Sequence, residues 1–272
     1  MTIDDLIAYG KSKVHSDLAK MLLADLLDMN SLELLMILDK EIDNKVVYEY
    51  KRRVSELKEG RPIQYIIGNV NFYGNKLNVD ERVLIPRFET EQLVEETIKR
   101  IKDKFNDNKI SIIDLGTGSG AIGLTLKKEF PNSKVDLLDI SLDALDVALN
   151  NAKRLGLDIN VIHNDMLENI NNKYDVVISN PPYIRNDEEI EDIVRDNEPR
   201  IALFGGEDGL LFYRKILSDI NKNLKEDYLI AFEIGDLQKE SIVKIIKEYL
   251  PNANIDCLKD LSNRDRMIFI YN

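Results

Sequence analysis

Asn180-Pro181-Pro182-Tyr183 is the stretch whose residue types and spacing most directly imply chemistry. It follows Tyr174-Asp175-Val176-Val177-Ile178-Ser179, an apolar run that reads as a buried strand ending in a stiff loop. A proline disfavours the αR region for the residue before it, so Asn180 and Pro181 are expected to be extended. Neither proline donates a backbone hydrogen bond, so the loop offers carbonyl acceptors with no amide donor beside them. The side-chain oxygen of Asn180 adds one more acceptor, and Tyr183 adds a flat ring. Such a site suits a planar, conjugated NH2 group, whose two N–H donors are taken by oxygens while a ring stacks on its face.

A second constellation lies upstream. Ile110-Ser111-Ile112-Ile113-Asp114-Leu115 reads as a strand that runs into Gly116-Thr117-Gly118-Ser119-Gly120, with a helix starting at once. Glycines permit a tight turn and close approach of backbone to a ligand. The helix N-terminus supplies unpaired N–H groups. Asp139 ends the next strand, where a carboxylate accepts both hydroxyls of a ribose. Asp165 follows the third strand and has two readings, a helix cap or an acceptor for an adenine amino group with Met166 packed beside the ring. The glycine loop alone leaves a dehydrogenase open, because Gly116-x-Gly118-x-x-Ala121 also satisfies the loose dinucleotide pattern. Two details favour a different cofactor. Asp114 opens the loop, where a sulfonium or amine would sit nearby, and hydride transfer has no need of Asn-Pro-Pro-Tyr.

The elements that must position these loops alternate. Strands are expected at 110–115, 134–139, 159–163, 174–179, 228–233, 253–258 and 266–271. Helices are expected at 89–104, 119–129, 141–155, 208–223 and 236–249. That alternation implies a mostly parallel sheet covered on both faces, whose C-terminal strand ends share one crevice. The chain before it reads helical at 2–9, 17–28, 31–40 and 43–58, with Ser16-Asp17 and Asn30-Ser31 as N-caps and Arg61-Pro62 as the stop. Gly74-Asn75 reads as a hairpin turn inside the β-rich stretch from Tyr65 to Val83. The expected division is a helical domain at 1–68, a connecting hairpin at 69–85 and an α/β domain at 86–272.

Composition sets bounds. The chain has 272 residues, 44% hydrophobic and 32% charged, as in ordinary globular proteins. No apolar run reaches the roughly 18 residues needed to span a bilayer, and Met1-Thr2-Ile3-Asp4-Asp5 lacks the basic start of a secretory signal. Cys257 is the only cysteine, which fits a reducing cytoplasm. His15 and His163 have no partners at metal spacing, so no metal is expected. A net charge of −12 argues against bulk binding to nucleic acid. Lys51-Arg52-Arg53 is the clearest basic candidate and reads as a solvated helix face.

Taken together these residues resemble the class I S-adenosylmethionine (AdoMet) methyltransferases. More narrowly they resemble the HemK/PrmC group of protein-glutamine methyltransferases that act on peptide chain release factors. The resemblance spans nearly the whole chain. It includes Arg61 to Gly68, Phe72-Tyr73-Gly74, Val83 to Arg87, Asp114 to Gly120, Asp139-Ile140-Ser141 and Ser179 to Ile184. It continues through Glu198-Pro199, Ala202-Leu203, Asp208-Gly209-Leu210, Glu233-Ile234-Gly235 with Gln238, and Lys259-Asp260-Leu261 with Arg266. Phe88 stands where the family usually has proline, and Asn263 where glycine is common.

The resemblance implies a Rossmann-like α/β fold, a mixed seven-stranded sheet with an antiparallel last strand, a small all-α N-terminal domain and a connecting β-hairpin. It implies AdoMet as cofactor and, as substrate, the glutamine of a release factor's Gly-Gly-Gln loop, held by Asn180, Pro181, Pro182 and Tyr183 and steadied by the helical domain. A monomer in the cytoplasm is expected. The rivals are an adenine methyltransferase, a ribosomal-protein glutamine methyltransferase and a non-catalytic AdoMet-binding module. Glu89-Thr90-Glu91 after the Ile-Pro-Arg segment favours the release-factor branch over the ribosomal-protein one.

Overall fold

The computed structural model describes residues 1–106 and 109–272, which group into two units. One comprises Met1–Asn69 and Glu191–Asn197, the other Val70–Ile190 and Glu198–Asn272.

The first unit is helical. It holds α1 (Ile3–Lys11), α2 (Ser16–Leu26), α3 (Ser31–Leu35), α4 (Asn44–Lys58), α5 (Ile63–Ile67) and, from later in the chain, α9 (Asp192–Asn197). Ile3, Leu6, Leu22, Leu23, Leu34, Tyr50 and Val54 pack into one core. Gly10 lets two helices approach closely, since a Cβ there would fall 2.0 Å from the Tyr50 hydroxyl. That hydroxyl donates to the carbonyl of Ala19 at 3.1 Å, so the buried phenol is satisfied.

Local signals explain most element ends. Asn30 caps α3 through a capping box with Glu33, as its residue type predicts. The cap of α2 is His15 rather than Ser16, its ring Nδ1 accepting from the Asp17 N–H at 3.4 Å. The helix expected over 31–40 stops at Leu35 and continues as turns. α4 ends at Lys58, before the expected stop at Arg61-Pro62, with Gly60 just beyond at φ 94°, and Pro62 instead stands at the N-cap of α5. In the basic run on α4, Lys51 lies over the Tyr9 ring and the two arginines form ion pairs. Arg53 meets Asp25 at 2.8 Å, and Arg52 meets Glu49 at 2.5 Å and also Glu56.

The second unit opens with the hairpin of β1 (Asn69–Phe72) and β2 (Asn75–Asn78). Its turn is Tyr73-Gly74, one residue earlier than expected, with positive φ at both positions (46° and 72°). Then follow α6 (Phe88–Phe105), β3 (Ser111–Leu115), α7 (Ala121–Glu129), β4 (Lys134–Asp139), α8 (Leu142–Leu155), β5 (Asn160–His163) and β6 (Tyr174–Ser179). After a short 3-10 turn at Arg200–Ala202 come α10 (Leu211–Asn223), β7 (Leu224–Glu233), α11 (Lys239–Tyr249), β8 (Asn254–Lys259) and β9 (Asp265–Tyr271).

The large sheet has seven strands in the order β5-β4-β3-β6-β7-β9-β8. β3 to β7 run parallel, while β9 is antiparallel to both β7 and β8. Alternate residues of the central strands enter opposite cores. Ile112, Val176 and Ile178 pack with Leu93, Ile101, Leu124 and Ala148 from α6, α7 and α8. Ile113, Leu115 and Val177 pack with Tyr213, Ile220, Ile242 and Ile246 from α10 and α11. Burial on both faces accounts for the unbroken apolar runs in β3 and β6. Each such side chain, fully buried, stabilises the fold by about 1.5–3 kcal/mol before entropy is counted.

The chain enters the sheet at β3, winds outward to β5, and returns to β6 on the other side of β3. This reversal places the loops after β3 and β6 on either side of the switch point, where open α/β sheets bind ligands.

Phe88 is the first residue of α6, a position that favours proline because its N–H has no helical partner. Phenylalanine stands there with its side chain turned largely to solvent, 59% exposed. Asn263 has φ 61°, a left-handed conformation that asparagine tolerates better than other non-glycine residues.

Candidate active site

The glycine loop is built around Asp114. This carboxylate is fully buried and its Oδ2 accepts from the Thr117 hydroxyl at 2.6 Å and the Gly123 N–H at 2.9 Å. Burial pushes its pKa up to about 6. Asp114 does not line the cavity described below; its carboxylate pins the loop to the start of α7 instead of facing a cationic ligand. Gly116, Gly118 and Gly120 all have positive φ (69°, 54° and 83°), which L side chains rarely adopt.

Asp139 closes the loop from the neighbouring strand. Its Oδ2 accepts from the Gly118 N–H at 2.9 Å and its Oδ1 from the Ser141 N–H at 2.9 Å. Each carboxylate oxygen has a second lone pair, so acceptor capacity remains for a bound diol. Burial raises the Asp139 pKa, against the opposing pull of the backbone N–H groups of Ser141 and Gly118.

A cavity of about 310 Å³ opens at this edge of the sheet, near the lower end of the usual range for ligand sites. Gly116, Gly118, Asp139, Asp165, Met166, Asn180 and Pro182 line it, together with Leu138, Ile140, Ser141, Leu211 and Phe212. The glycine loop and the Asn-Pro-Pro-Tyr loop therefore face one space. Thr117, Ser119, Gly120, Pro181 and Tyr183 are not among its lining residues. Thr117 turns its hydroxyl to Asp114, and the Ser119 carbonyl accepts from Asn151 Nδ2 at 2.9 Å. The same Asn151 holds the hairpin, its Nδ2 donating to the Asn78 carbonyl at 3.0 Å. A Cβ at Gly120 would fall 2.8 Å from the side chain of Leu124. Asp165 has no helix to cap, because the residues after it form turns; its carboxylate pairs with the Lys215 ammonium.

The Asn-Pro-Pro-Tyr loop is held from behind. Gln238 donates from Nε2 to the Tyr183 carbonyl at 2.9 Å and accepts on Oε1 from the Gly235 N–H at 2.9 Å. Ile184 exchanges backbone hydrogen bonds with Leu203 and Gly205, at 3.0 and 2.7 Å. A Cβ at Gly205 would fall 2.5 Å from the Pro182 carbonyl oxygen, and one at Gly209 2.3 Å from that of Tyr183. On the other flank, buried Glu198 accepts from the Ile85 N–H at 3.1 Å and pairs with Arg87. That ties the segment before α6 to the loop carrying Pro199, which also lines the cavity.

Beneath Asn180 lies a polar relay that sequence reasoning missed. Asn180 Nδ2 donates to Thr90 Oγ1 at 3.1 Å, and Thr90 Oγ1 donates to Glu233 Oε2 at 2.6 Å. Tyr183 donates its hydroxyl to Glu233 Oε1 at 3.4 Å, and Arg266 Nη1 donates to the Tyr183 hydroxyl at 3.4 Å. Burial pushes the Glu233 pKa up to about 7 and raises that of Tyr183 as well, where the Glu233 charge adds to the effect. The available signal was a carboxylate ending an otherwise apolar strand, Leu229 to Phe232.

Comparison with known proteins decides the family. The PrmC N-terminal domain family matches residues 10–68, and the methyltransferase small domain family matches residues 91–197. A release factor glutamine methyltransferase of Bacillus cereus is 39% identical over 255 residues, covering 92% of this chain and 90% of that one. Its counterpart in Streptococcus pneumoniae is 43% identical, covering 79% and 76%.

The chain belongs to the release factor glutamine methyltransferases.

A solved 16S rRNA N2 G1207 methyltransferase of T. thermophilus shares the fold, with a TM-score of 0.53 at 15% identity over 75% of this chain and 49% of that one. Membership among the release factor glutamine methyltransferases removes the dehydrogenase alternative, and the cofactor of this class is AdoMet. The cavity of this family member fits such a group. It joins a carboxylate with free lone pairs, a wall of Cβ-less backbone at Gly116 and Gly118, and an apolar wall of Met166, Ile140, Leu211 and Phe212.

Proposed function

We propose that this chain methylates the side-chain amide nitrogen of the glutamine in the Gly-Gly-Gln motif of peptide chain release factors, with AdoMet as methyl donor. One observation carries the reading: Asn180 lines the cofactor-sized cavity with its Nδ2 already committed to Thr90, so its Oδ1 is left for a ligand's N–H.

Gly116, Gly118, Asp139, Asp165 and Met166 would hold the cofactor, with Asp139 taking the ribose hydroxyls and Met166 lying beside the adenine. Thr117, Ser119 and Gly120 would act by fixing the loop. When bound, AdoMet supplies an electrophilic methyl group on a sulfonium. A glutamine amide nitrogen is a poor nucleophile because its lone pair is delocalised into the carbonyl. Asn180 Oδ1 and the Pro181 carbonyl would accept its two N–H donors, Pro182 would stiffen the loop, and Tyr183 would pack against the amide plane. These hydrogen bonds strengthen as positive charge develops on nitrogen, which is selective stabilisation of the transition state, and the nitrogen then gives up one of the two held protons to solvent as it keeps the methyl group. Holding the reactants in line supplies up to roughly 7–11 kcal/mol in favourable cases.

The helical residues 1–68 would help hold the release factor, the hairpin at 69–85 would connect, and residues 86–272 would carry the chemistry. Among the described residues no helix is long and apolar enough to cross a membrane. The single cysteine fits a reducing compartment such as the cytoplasm, where a release factor substrate would be met.

The test is transfer of labelled methyl from AdoMet to purified release factor. Its Gln→Ala variant, the ribosomal-protein substrate and bare DNA run in parallel. Label on release factor, lost in the Gln variant, is the expected result. Label on DNA or the ribosomal protein instead overturns the substrate.

A further inference from the structure

Every hydrogen bond in the relay beneath Asn180 points toward Glu233. From one side Arg266 donates to the Tyr183 hydroxyl, which donates to Glu233 Oε1. From the other side Asn180 donates to Thr90, which donates to Glu233 Oε2. The arithmetic of protons makes this direction compulsory. A guanidinium only donates and an ionised carboxylate only accepts, while a hydroxyl has a single proton to give. Once Thr90 has given its proton to Glu233, its oxygen meets Asn180 solely as an acceptor. The Asn180 carboxamide must then turn its NH2 inward, and its Oδ1 remains the group available to a ligand. Among the described residues no protein donor is recorded on that Oδ1, although Asn180 lines the cavity.

We infer that Glu233 is a positioning residue that acts through the Thr90 hydroxyl to fix which face of the Asn180 carboxamide meets the substrate amide. This rests on the proposed role of Asn180 as acceptor. Glu233 touches neither the cavity nor a reacting atom; it is 1% exposed and reaches the site through two hydroxyls, those of Thr90 and Tyr183, of which Thr90 leads to Asn180. Reversal of the Thr90 proton would reward the opposite amide orientation. That orientation would present an NH2 to the substrate's own NH2, a donor against a donor.

The carboxylate must be ionised for this to work. The groups facing it are Glu89 and Thr90 from α6, Tyr183 from the loop after β6, Arg266 from β9, and Tyr213 from α10, whose hydroxyl donates to the Glu233 carbonyl at 2.7 Å. Arg266 favours the ionised form, whereas Glu89 and burial oppose it, and burial prevails to bring the pKa up to about 7. Protonated, Glu233 gains a proton to give and no longer compels Thr90 to donate.

The test compares Thr90→Val, Thr90→Ser and Glu233→Gln with the native chain, using AdoMet and intact release factor. Thr90→Val keeps the side-chain shape and removes the hydroxyl. Its kcat should fall by about tenfold or more, with the AdoMet Kd and release-factor KM within about twofold, as for a misplaced catalytic group. Thr90→Ser should restore kcat. The native kcat should decline as pH falls through about 7, and Glu233→Gln should show a low kcat with no such limb, because its carboxamide does not titrate and, with an NH2 to give, no longer compels Thr90 to donate. A Thr90→Val kcat within about twofold of native overturns the inference. So does an acid limb that Glu233→Gln leaves in place, a readout that survives even if the valine variant folds poorly. Asn180→Ala separates this from the underlying reading: if that variant is inactive while Thr90→Val is fully active, the positioning role alone fails.

Discussion

Gln238 and Tyr183 are joined through the backbone of the latter: the Gln238 Nε2 donates to the Tyr183 carbonyl at 2.9 Å. The same carboxamide accepts the Gly235 N–H, so one side chain clamps the end of Asn-Pro-Pro-Tyr to the turn after β7. Replacing Gln238 by Leu strands a half-buried carbonyl and an N–H, at a cost of about 1–3 kcal/mol for each group left unpaired. Thermal unfolding should show a lower Tm, and kcat should fall more than AdoMet affinity does. An unchanged kcat would mean the loop holds its shape without the clamp.

Asp139 is expected to dominate cofactor affinity. Hydrogen bonds to a charged acceptor are worth about 1.5–3 kcal/mol each. Asp139→Ala should therefore weaken AdoMet binding by at least about tenfold in calorimetry, since about 1.4 kcal/mol corresponds to a factor of ten. Part of that loss will come from the Gly118 and Ser141 N–H groups, which lose their partner. Undiminished affinity would place the ribose elsewhere.

Asn180→Ala should remove most methyl transfer while AdoMet affinity stays within a few-fold. The residue borders the cavity but is bound by its amide to Thr90 and not to the glycine loop. A variant that loses cofactor binding first would contradict this division of labour.

Stability should depend on pH through Glu233. Its folded pKa of about 7 lies above the 4.5 usual for a glutamate, so the folded chain binds the extra proton between those values. The stabilisation is fully present below about pH 4.5 and is lost as pH rises through about 7. The full effect is roughly 3 kcal/mol, at about 1.4 kcal/mol per pKa unit. Asp114, raised to about 6, acts in the same direction. Glu233→Gln should flatten the upper part of this dependence in denaturant unfolding, and a slope identical to that of the native chain would assign the proton to another group.

The parts of this molecule that show in the sequence are those whose physics is local. Asn-Pro-Pro-Tyr, the glycine loop and Asp139 each sit at the end of an apolar run, and the sheet brings those ends together. The six-residue scale also hid things. β7 begins at Leu224, where Lys225, Glu226 and Asp227 mask a strand that extends beyond the core. α5 was obscured because Ile63 to Ile67 has the β-branched composition of a strand. Thr90 and Glu233 lie 143 positions apart, and neither residue type announces a relay. Gly209 and Gln238 resembled the family before they had a purpose, which the backbone of Tyr183 pressed against them supplies; Gly205, not part of that resemblance, does the same at Pro182.

β9 is the final strand in chain order, yet it lies between β7 and β8 in space. Until it arrives, each of those strands presents a bare edge, the arrangement most open to pairing with a foreign chain. Arg266, which steadies Tyr183, travels on the same strand. Seating β9 therefore does two things at once: it covers both bare edges and brings the Arg266 guanidinium to the Tyr183 hydroxyl, so closure of the sheet and support of the Asn-Pro-Pro-Tyr loop are coupled.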